Sequence, residues 1–298
     1  MINVKINKRI VIFLLIISIV ILFMNFKNRF LIDYSSNRIT CSIENSSLNS
    51  IQSAETTKIA IIDSGVDEEK ARVKIEKRFS EVDNTKDDFG HGTAVASIIA
   101  SKKSKTDNIE GIYPKAIIFD VNVLDENGYA KIDDIIEAIE WSINQNVDVI
   151  NMSFGVEKND ERLHKVIKKA VEDGIIIVAS AGNTLGMYTE YPAKYKEVLS
   201  ISGVDKDMNI YKYAAKGKVD FVAPGVDVQA VKIGKLSKQE RLSGTSFSTA
   251  YATGVIATLL SEEKINKDNY REVLLDYAEL PEGETCNSTY GCGVLQLR

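Results

Sequence analysis

The stretch Lys58-Ile59-Ala60-Ile61-Ile62-Asp63-Ser64-Gly65 decides the fold of this chain. Its four consecutive aliphatic residues end in a carboxylate followed by a Ser-Gly turn signal. A short apolar run bounded in this way is typical of a strand that is buried on both faces. Such strands belong to parallel sheets that are covered by helices on both sides. The stretch therefore predicts a strand of an α/β sheet, with Asp63 at its carboxyl end.

The sequence downstream alternates between apolar runs and segments with helical spacing. Strands are predicted at 116–124, 147–153, 175–179, 198–203 and 219–223, and helices at 94–100, 133–145, 162–172 and 246–260. This alternation predicts a three-layer α/β fold, with a mostly parallel central sheet covered by helices on both faces. We expect a single domain over residues 56–298. Ligands bind such sheets at the carboxyl ends of the strands, and Asp63, Ser153 and Asn183 all lie at or just past these ends.

The first 55 residues differ in composition from this domain. Three basic residues precede residues 10–24, a run of fifteen in which only Ser18 is polar. A helix of that length covers ~23 Å, somewhat less than the hydrocarbon core of a bilayer. No small-residue cleavage pattern follows, so we expect residues 10–26 to form an uncleaved signal anchor, with a cleaved signal peptide as the alternative. Residues 1–9 would be cytoplasmic, and residues 27–55 would form a polar stalk or short pro-segment outside the membrane.

Charge and cysteine usage restrict the partners that we expect. The net charge is -5 and no basic stripe is present, which disfavours nucleic acid as a partner.

Cys286 and Cys292 bracket a turn-rich loop, so a local disulfide is predicted, with free thiols as the alternative, and Cys41 is left over. No CxxC or HExxH pattern supports a metal site. We expect a monomer.

Four polar residues are candidates for a functional site. His91 is one of two histidines in the chain and is flanked by glycines. Asp63 ends a buried strand, where a carboxylate is costly unless it is paired. Ser246 begins a predicted helix, whose N–H groups favour developing negative charge, and Asn183 follows a strand and a glycine. Each residue also has an ordinary alternative, as a surface histidine, a helix cap or a turn residue.

The order of the motifs around these residues resembles the subtilisin-like serine proteases. The motifs are Ile62-Asp63-Ser64-Gly65-Val66-Asp67, Gly90-His91-Gly92-Thr93, Asn151-Met152-Ser153-Phe154-Gly155, Ala181-Gly182-Asn183 and Gly244-Thr245-Ser246, with Tyr191-Pro192-Ala193 and Phe221-Val222-Ala223-Pro224-Gly225 in support. The resemblance runs from Lys58 to Gly254. Five motifs in this order and spacing are highly specific.

The resemblance implies a role for each residue. Ser246 would attack the scissile carbonyl, His91 would transfer the proton, and Asp63 would orient His91. The Asn183 amide and the Ser246 N–H would bind the oxyanion. An extended peptide would pair with two chain segments. These segments are Ser153-Phe154-Gly155 and Gly128-Tyr129-Ala130.

The chain also departs from the family pattern. Ala94 replaces the second histidine of the family's His motif, and residues 247–251 differ from the usual sequence after the nucleophile. Neither change touches the implied chemistry. Residues 27–55 are too few for the folding prodomain that the family usually carries. A catalytically inactive binding protein with the same fold is the alternative to an endopeptidase.

The loop Lys102–Glu110 occupies the place of a family calcium site. Asp107, Asn108 and Glu110 offer oxygen ligands, whereas the lysines at 102, 103 and 105 disfavour a tight site. A structural calcium is therefore left open, and no cofactor is expected for catalysis.

Glu190 directly precedes Tyr191-Pro192, where the family often has glycine at the floor of the S1 pocket. The hypothesis is that its carboxylate favours Lys or Arg at P1, and a surface-loop glutamate is the alternative. A processing protease, such as a leader-peptide peptidase, would suit a small anchored domain with this preference.

Overall fold

One sheet forms the centre of the computed structural model, which describes residues 56–81, 87–104, 109–238 and 241–297. Its nine strands within these residues are β1 (Lys58–Asp63), β2 (Lys74–Ser80), β3 (Ile117–Asn122), β4 (Val149–Met152), β5 (Ile176–Ser180), β6 (Leu199–Val204), β7 (Phe221–Pro224), β8 (Ala278–Glu279) and β9 (Val294–Leu295). Their spatial order is β2-β3-β1-β4-β5-β6-β7-β9-β8. Neighbouring strands are parallel except β8 and β9. The predicted anchor and stalk, residues 1–55 with Cys41, lie outside the described residues.

Helices cover both faces of this sheet. They are α1 (Glu68–Ala71), α2 (His91–Ala100), α3 (Ile132–Asn144), α4 (Glu161–Glu172), α5 (Thr245–Ser261) and α6 (Tyr270–Asp276), with a 3₁₀ helix at Gly234–Lys238. Helices α2 and α5 contribute to the hydrophobic core on one face, and α3 and α4 contribute to the core on the other. The predicted three-layer α/β fold is confirmed. None of the helices described is both long enough and apolar enough to cross a bilayer.

The sequence of strand β1 is continuously apolar because both faces of the strand are buried. Ile59 and Ile61 belong to one core cluster, whereas Ala60 and Ile62 belong to the cluster on the opposite face. All four are fully buried. Because successive side chains of a strand point to opposite faces, only a strand covered on both sides needs this composition.

The sequence pattern located the buried elements better than the exposed ones. Each predicted strand and helix is present, with its ends within about three residues of the prediction, a usual boundary uncertainty. Strand β2 was not predicted, because its sequence Lys-Ile-Glu-Lys-Arg-Phe-Ser is charged and mostly exposed at the edge of the sheet. Charged residues protect such an edge from pairing with other chains, and they remove the hydrophobic signal. The short elements α1, α6, β8 and β9 were also missed.

The order of the strands places a crevice at the end of β1. From β1 the chain first builds β2 and β3 on one side, and it then builds β4 to β7 on the other. Such a reversal separates the connecting loops above the strand ends and leaves room for a ligand. Asp63 is the last residue of β1 and lies at this reversal.

The Cys286–Cys292 disulfide is present, as predicted, with its Cα atoms 4.2 Å apart. It closes a loop that lies against β7. Cys292 N–H donates to the carbonyl of Asp220 at 2.8 Å, and Val222 N–H donates to Gly293 O at 2.9 Å. The disulfide therefore holds the segment that delivers β9 to the sheet.

Removing the disulfide should weaken the fold without changing its topology. The double variant Cys286→Ser/Cys292→Ser should lose about 2 kcal/mol in free energy of unfolding, because so short a loop constrains the unfolded chain only modestly. Urea unfolding measures the change. A reductant should produce the same loss in the disulfide-bonded protein and none in the double variant. An equal effect of the reductant on both proteins would contradict this account.

Candidate active site

The side chains of Asp63 and His91 are hydrogen-bonded to each other at the carboxyl end of β1. His91 Nδ1 lies 2.8 Å from Asp63 Oδ1 and 3.0 Å from Oδ2. The Asp63 side chain has no exposed surface, and that of His91 is 13% exposed. Asp63 Oδ1 also accepts the backbone N–H of Ser64 at 2.8 Å. The carboxylate thus fixes the imidazole through Nδ1 and leaves Nε2 for other chemistry.

A second buried carboxylate, Asp87, holds the helix that carries His91. It is 4% exposed and accepts N–H groups from Gly90 at 2.6 Å and Thr93 at 2.8 Å. It also accepts the hydroxyl of Ser64 at 2.8 Å, and this hydroxyl in turn accepts Gly92 N–H at 3.0 Å. Gly90, the N-cap of α2, has no side chain for this task, so Asp87 and Ser64 satisfy the free N–H groups instead.

Sequence reasoning missed Asp87. In the sequence, Asp87 is an acidic residue three positions before the N-cap glycine. This pattern is a weak indication of function, because acidic residues are common near helix starts. Its contacts with Ser64 and Gly90 link β1 to α2. The network also depends on the close approach of these two elements, since a Cβ on Gly92 would lie 2.2 Å from the carbonyl oxygen of Gly65.

The electrostatics of this network favour a protonated His91. Burial by itself lowers the pKa of His91, but the charge of Asp63, its hydrogen bond and the charge of Asp87 raise it, and the net pKa lies above the ordinary value. Burial also raises the pKa of Asp87, against the effect of its hydrogen bonds. A base of this kind is neutral, and able to accept a proton, only above its raised pKa.

Ser246 lies in the first turn of α5, next to the Asp63–His91 pair. The ring of the neighbouring Phe247 lies 5.6 Å from the imidazole, measured between centroids. The Ser246 hydroxyl donates to the carbonyl of Ser153 at 2.7 Å, and the Ser153 hydroxyl donates to the carbonyl of Ser246 at 3.0 Å. This reciprocal pair joins the end of β4 to the start of α5. In this rotamer the Ser246 hydroxyl hydrogen is directed at a backbone carbonyl.

Asn183 lies beside the same helix terminus. Its side-chain oxygen accepts the N–H and the hydroxyl of Thr245, both at 3.2 Å. Because the oxygen end is held in this way, the amide end of Asn183 is directed away from Thr245. Asn183 itself is exposed, so the amide N–H groups are accessible to a ligand in the crevice.

The two predicted substrate-binding segments differ in exposure. Phe154 and Gly155 follow β4 and are half-buried. On the other side Tyr129 is 74% exposed. Gly128 has φ +82° and packs on the ring of Phe89, which a Cβ would approach to 2.9 Å. Both segments contain the glycine that a close backbone approach requires.

Glu190 lies between Gly155, in the first of these segments, and Gly182, in the Ala181-Gly182-Asn183 motif. A Cβ built on Gly155 would lie 2.7 Å from Glu190 Oε2, and one built on Gly182 would lie 2.3 Å from the same oxygen. The Glu190 carboxylate therefore occupies space that only glycine on both walls leaves open. Burial, followed by the charge of Glu157, raises the pKa of Glu190. Glu190 is half-buried in this position.

The other histidine has a structural environment. His164 Nε2 lies 3.1 Å from a carboxylate oxygen of Glu197, and its ring stacks on Tyr195 with centroids 4.1 Å apart. His164 is therefore a paired residue on α4.

Among the described residues no group of three or more His, Cys, Asp or Glu side chains is arranged to hold a metal. Asp107 and Asn108, two predicted calcium ligands, lie outside the described residues.

Comparison with known proteins identifies the class that this fold and site define. The sequence model described as the Subtilase family matches residues 54–293, which is most of the chain. The chain belongs to the subtilase family.

Similarity to individual proteins is moderate and partial. The chain is 36% identical over 207 residues to the minor extracellular protease Epr of Bacillus subtilis, a match covering 68% of this chain and 32% of that protein. It is 34% identical over 218 residues to subtilisin E of the same species, covering 69% and 55% of the two chains. A thermostable alkaline protease of Halalkalibacterium halodurans is 35% identical over 176 residues, covering 59% and 48%. The chain thus spans about a third to just over half of the length of these relatives.

Removing the charge of Asp87 should lower the pKa of His91, because that charge favours the imidazolium. We expect Asp87→Asn to shift the NMR titration of His91 to lower pH. Asp88→Asn removes an exposed charge from the next residue and is the matched control. His164 provides an internal reference, since the chain has only two histidines. An unchanged His91 titration in a folded Asp87→Asn protein would contradict the assigned role.

Proposed function

We propose that this chain is a serine endopeptidase that hydrolyses extended polypeptides. The observation that carries the proposal is the Asp63–His91 hydrogen bond of 2.8 Å, together with the contact of the His91 ring with Phe247, the residue that follows Ser246 in the first turn of α5. Membership of the subtilase family supports the same chemistry. Asp63, His91 and Ser246 are then the catalytic triad, and Asn183 is the oxyanion donor.

The reaction begins with a change of hydrogen bond at Ser246. Its hydroxyl turns from the Ser153 carbonyl toward Nε2 of His91, which accepts the proton as Oγ attacks the scissile carbonyl. Asp63 stabilises the resulting imidazolium through Nδ1. The Asn183 amide and the Ser246 N–H bind the negative oxygen of the tetrahedral intermediate.

Collapse of this intermediate completes the first half of the reaction. The C–N bond breaks, and His91 gives its proton to the leaving amine, which leaves an acyl group on Ser246. Water then attacks the ester with His91 again as the base, and the second product leaves with a free carboxylate. Each proton taken by His91 is returned in the same half-reaction, so no cofactor is needed for catalysis.

The substrate is an extended segment that lies between residues 153–155 and residues 128–130. Backbone hydrogen bonds to these segments would be independent of side chain, and pockets between them would give specificity. The Glu190 carboxylate, held between Gly155 and Gly182 and near the charge of Glu157, supports a preference for Lys or Arg at P1.

We further propose that the enzyme acts outside the cytoplasm as a membrane-anchored monomer that processes other polypeptides. The apolar run at 10–24 and the basic residues before it support an anchor with the domain outside. The relative from Bacillus subtilis bears the name of an extracellular protease. The net charge of -5 gives no reason to expect nucleic acid as a partner.

Labelling by a fluorophosphonate probe tests the triad directly. The unmodified protein should be labelled, whereas Ser246→Ala should not be, and His91→Ala should lose nearly all labelling and proteolysis. Asn183→Ala should keep the triad but lose about 10²–10³-fold in kcat, the size established for the equivalent donor of subtilisin. His164→Ala is the matched control and should retain activity.

A folded, unmodified protein that is not labelled would overturn the proposal. That result would favour the alternative, an inactive binding protein with the subtilase fold. Cleavage-site profiling of a proteome with the active protein and with Ser246→Ala then reports the preferred P1 residue and candidate substrates together.

The charge of Glu190 should determine the P1 preference. We expect Glu190→Gln to reduce the ratio of kcat/KM for P1 Arg over P1 Leu roughly 10–100-fold, because a hydrogen bond to a charged group contributes about 1.5–3 kcal/mol. Glu157→Gln should give a smaller change. Glu172→Gln, at the opposite end of the strands, is the control and should give none.

The P1 preference should also depend on pH. Since the pKa of Glu190 is raised, its carboxylate is protonated at a higher pH than an ordinary glutamate, and selectivity for Arg should fall as the pH is lowered through that raised value. Glu190→Gln should abolish this dependence. A clear preference of the unmodified enzyme for Leu or Phe at P1 would refute the hypothesis.

A further inference from the structure

The side chain of Arg72 bridges the two limbs of the loop after α2. Its Nε donates to the carbonyl of Lys102 at 3.0 Å, and its Nη2 donates to the carbonyl of Ile109 at 3.0 Å. Lys102 leaves the helix and Ile109 returns toward it. One guanidinium therefore holds both limbs of the loop.

The backbone places this guanidinium firmly. Arg72 follows α1 in the left-handed conformation, with φ 54°, and its own N–H donates to the carbonyl of Glu68. The carbonyl of Arg72 accepts the N–H of Lys102 at 3.1 Å. Backbone and side chain of Arg72 thus contact the same residue of the loop, so the guanidinium fork has little freedom to move away.

The rest of the loop is closed by backbone hydrogen bonds at its base. Gly111 N–H donates to Ser101 O at 2.8 Å, and Ile112 N–H donates to Ile98 O at 3.0 Å. A Cβ on Gly111 would lie 2.3 Å from the amide nitrogen of Ser101, so the limbs meet closely there. Above this base, Arg72 supplies the cross-link between the described ends of the loop.

The family resemblance implies a structural calcium at this loop, but the described residues of the loop do not fit that ion. Calcium needs six to eight oxygen ligands at about 2.3–2.6 Å. Two carbonyls that converge from the two limbs already accept hydrogen bonds from a cation. A calcium ion on these oxygens would lie against the guanidinium charge, and Lys102 and Lys103 add further positive charge on the same limb.

We infer that the Arg72 guanidinium takes the place of a metal ion as the cation that joins Lys102 to Ile109, so that the stability of these two limbs does not depend on calcium. Guanidinium remains charged throughout the physiological pH range, and its planar fork suits two separate oxygen acceptors. A resident cation is present at any calcium concentration. The inference does not depend on the proposed catalytic activity.

Thermal unfolding of the full chain, in the Ser246→Ala background, tests the inference. The Tm of this protein should be the same in EDTA and in a millimolar excess of calcium. Arg72→Ala should lower the Tm by several degrees in both solutions, because calcium cannot restore the lost bridge. Arg241→Ala is the matched control, since Arg241 is exposed and donates to a single carbonyl, that of Asp227, and its loss should change the Tm little.

Two further measurements keep the inference falsifiable. Arg72→Lys retains the charge but loses the fork, so its Tm should lie between those of the parent and of Arg72→Ala, and it serves if Arg72→Ala does not fold. Hydrogen exchange at Gly111 and Ile112 should accelerate in the Arg72 variants and not in Arg241→Ala. A Tm of the parent protein that rises with calcium, or an Arg72→Ala protein as stable as Arg241→Ala, would overturn the inference.

Discussion

The burial of the Asp63 carboxylate is the constraint on which the site depends. A carboxylate with no exposed surface is tolerated only when hydrogen bonds and an opposite charge replace its water. Here the Ser64 N–H and the imidazole of His91 supply them. This requirement fixes the start of α2 next to the end of β1, and it fixes the ring of His91 by Nδ1. The geometry of the base is thus a consequence of satisfying a buried charge.

Asp87 is a second buried carboxylate that is stabilised by hydrogen bonds. It bonds to backbone N–H groups of the α2 N-terminus and to the hydroxyl that Gly92 N–H contacts. Two carboxylates therefore influence the imidazole of His91. Asp63 is hydrogen-bonded to it directly, whereas Asp87 holds the N-terminus of α2 and raises the pKa of His91 by its negative charge. Arg72 stands at the opposite end of α2, where a positive side chain secures the loop that follows. The helix that carries His91 is held at both ends by charged side chains from outside it.

The position of the Glu190 side chain depends on two glycines that have no side chain of their own. Gly155 and Gly182 leave room for the Glu190 carboxylate, and a Cβ at either position would meet it below normal contact distance. The resulting desolvation raises the pKa of Glu190. The position of this acid therefore depends on Gly182, which is close in the chain, and on Gly155, which is more distant.

The sequence by itself predicted the layered α/β fold and the succession of buried strands along the chain, and it singled out Asp63, His91, Asn183 and Ser246 as candidate site residues. These follow from local patterns, because a strand covered on both faces must be apolar throughout and because a polar residue at its end stands out. Sequence could not find β2, whose charges hide its strand pattern, or Asp87, whose spacing is unremarkable. Only the tertiary structure placed Glu190 between two glycines and Arg72 between two carbonyls. The contacts of Glu190 with Gly155 and of Arg72 with Lys102 and Ile109 join residues that are distant in sequence. They depend on how the elements pack, which no local pattern encodes.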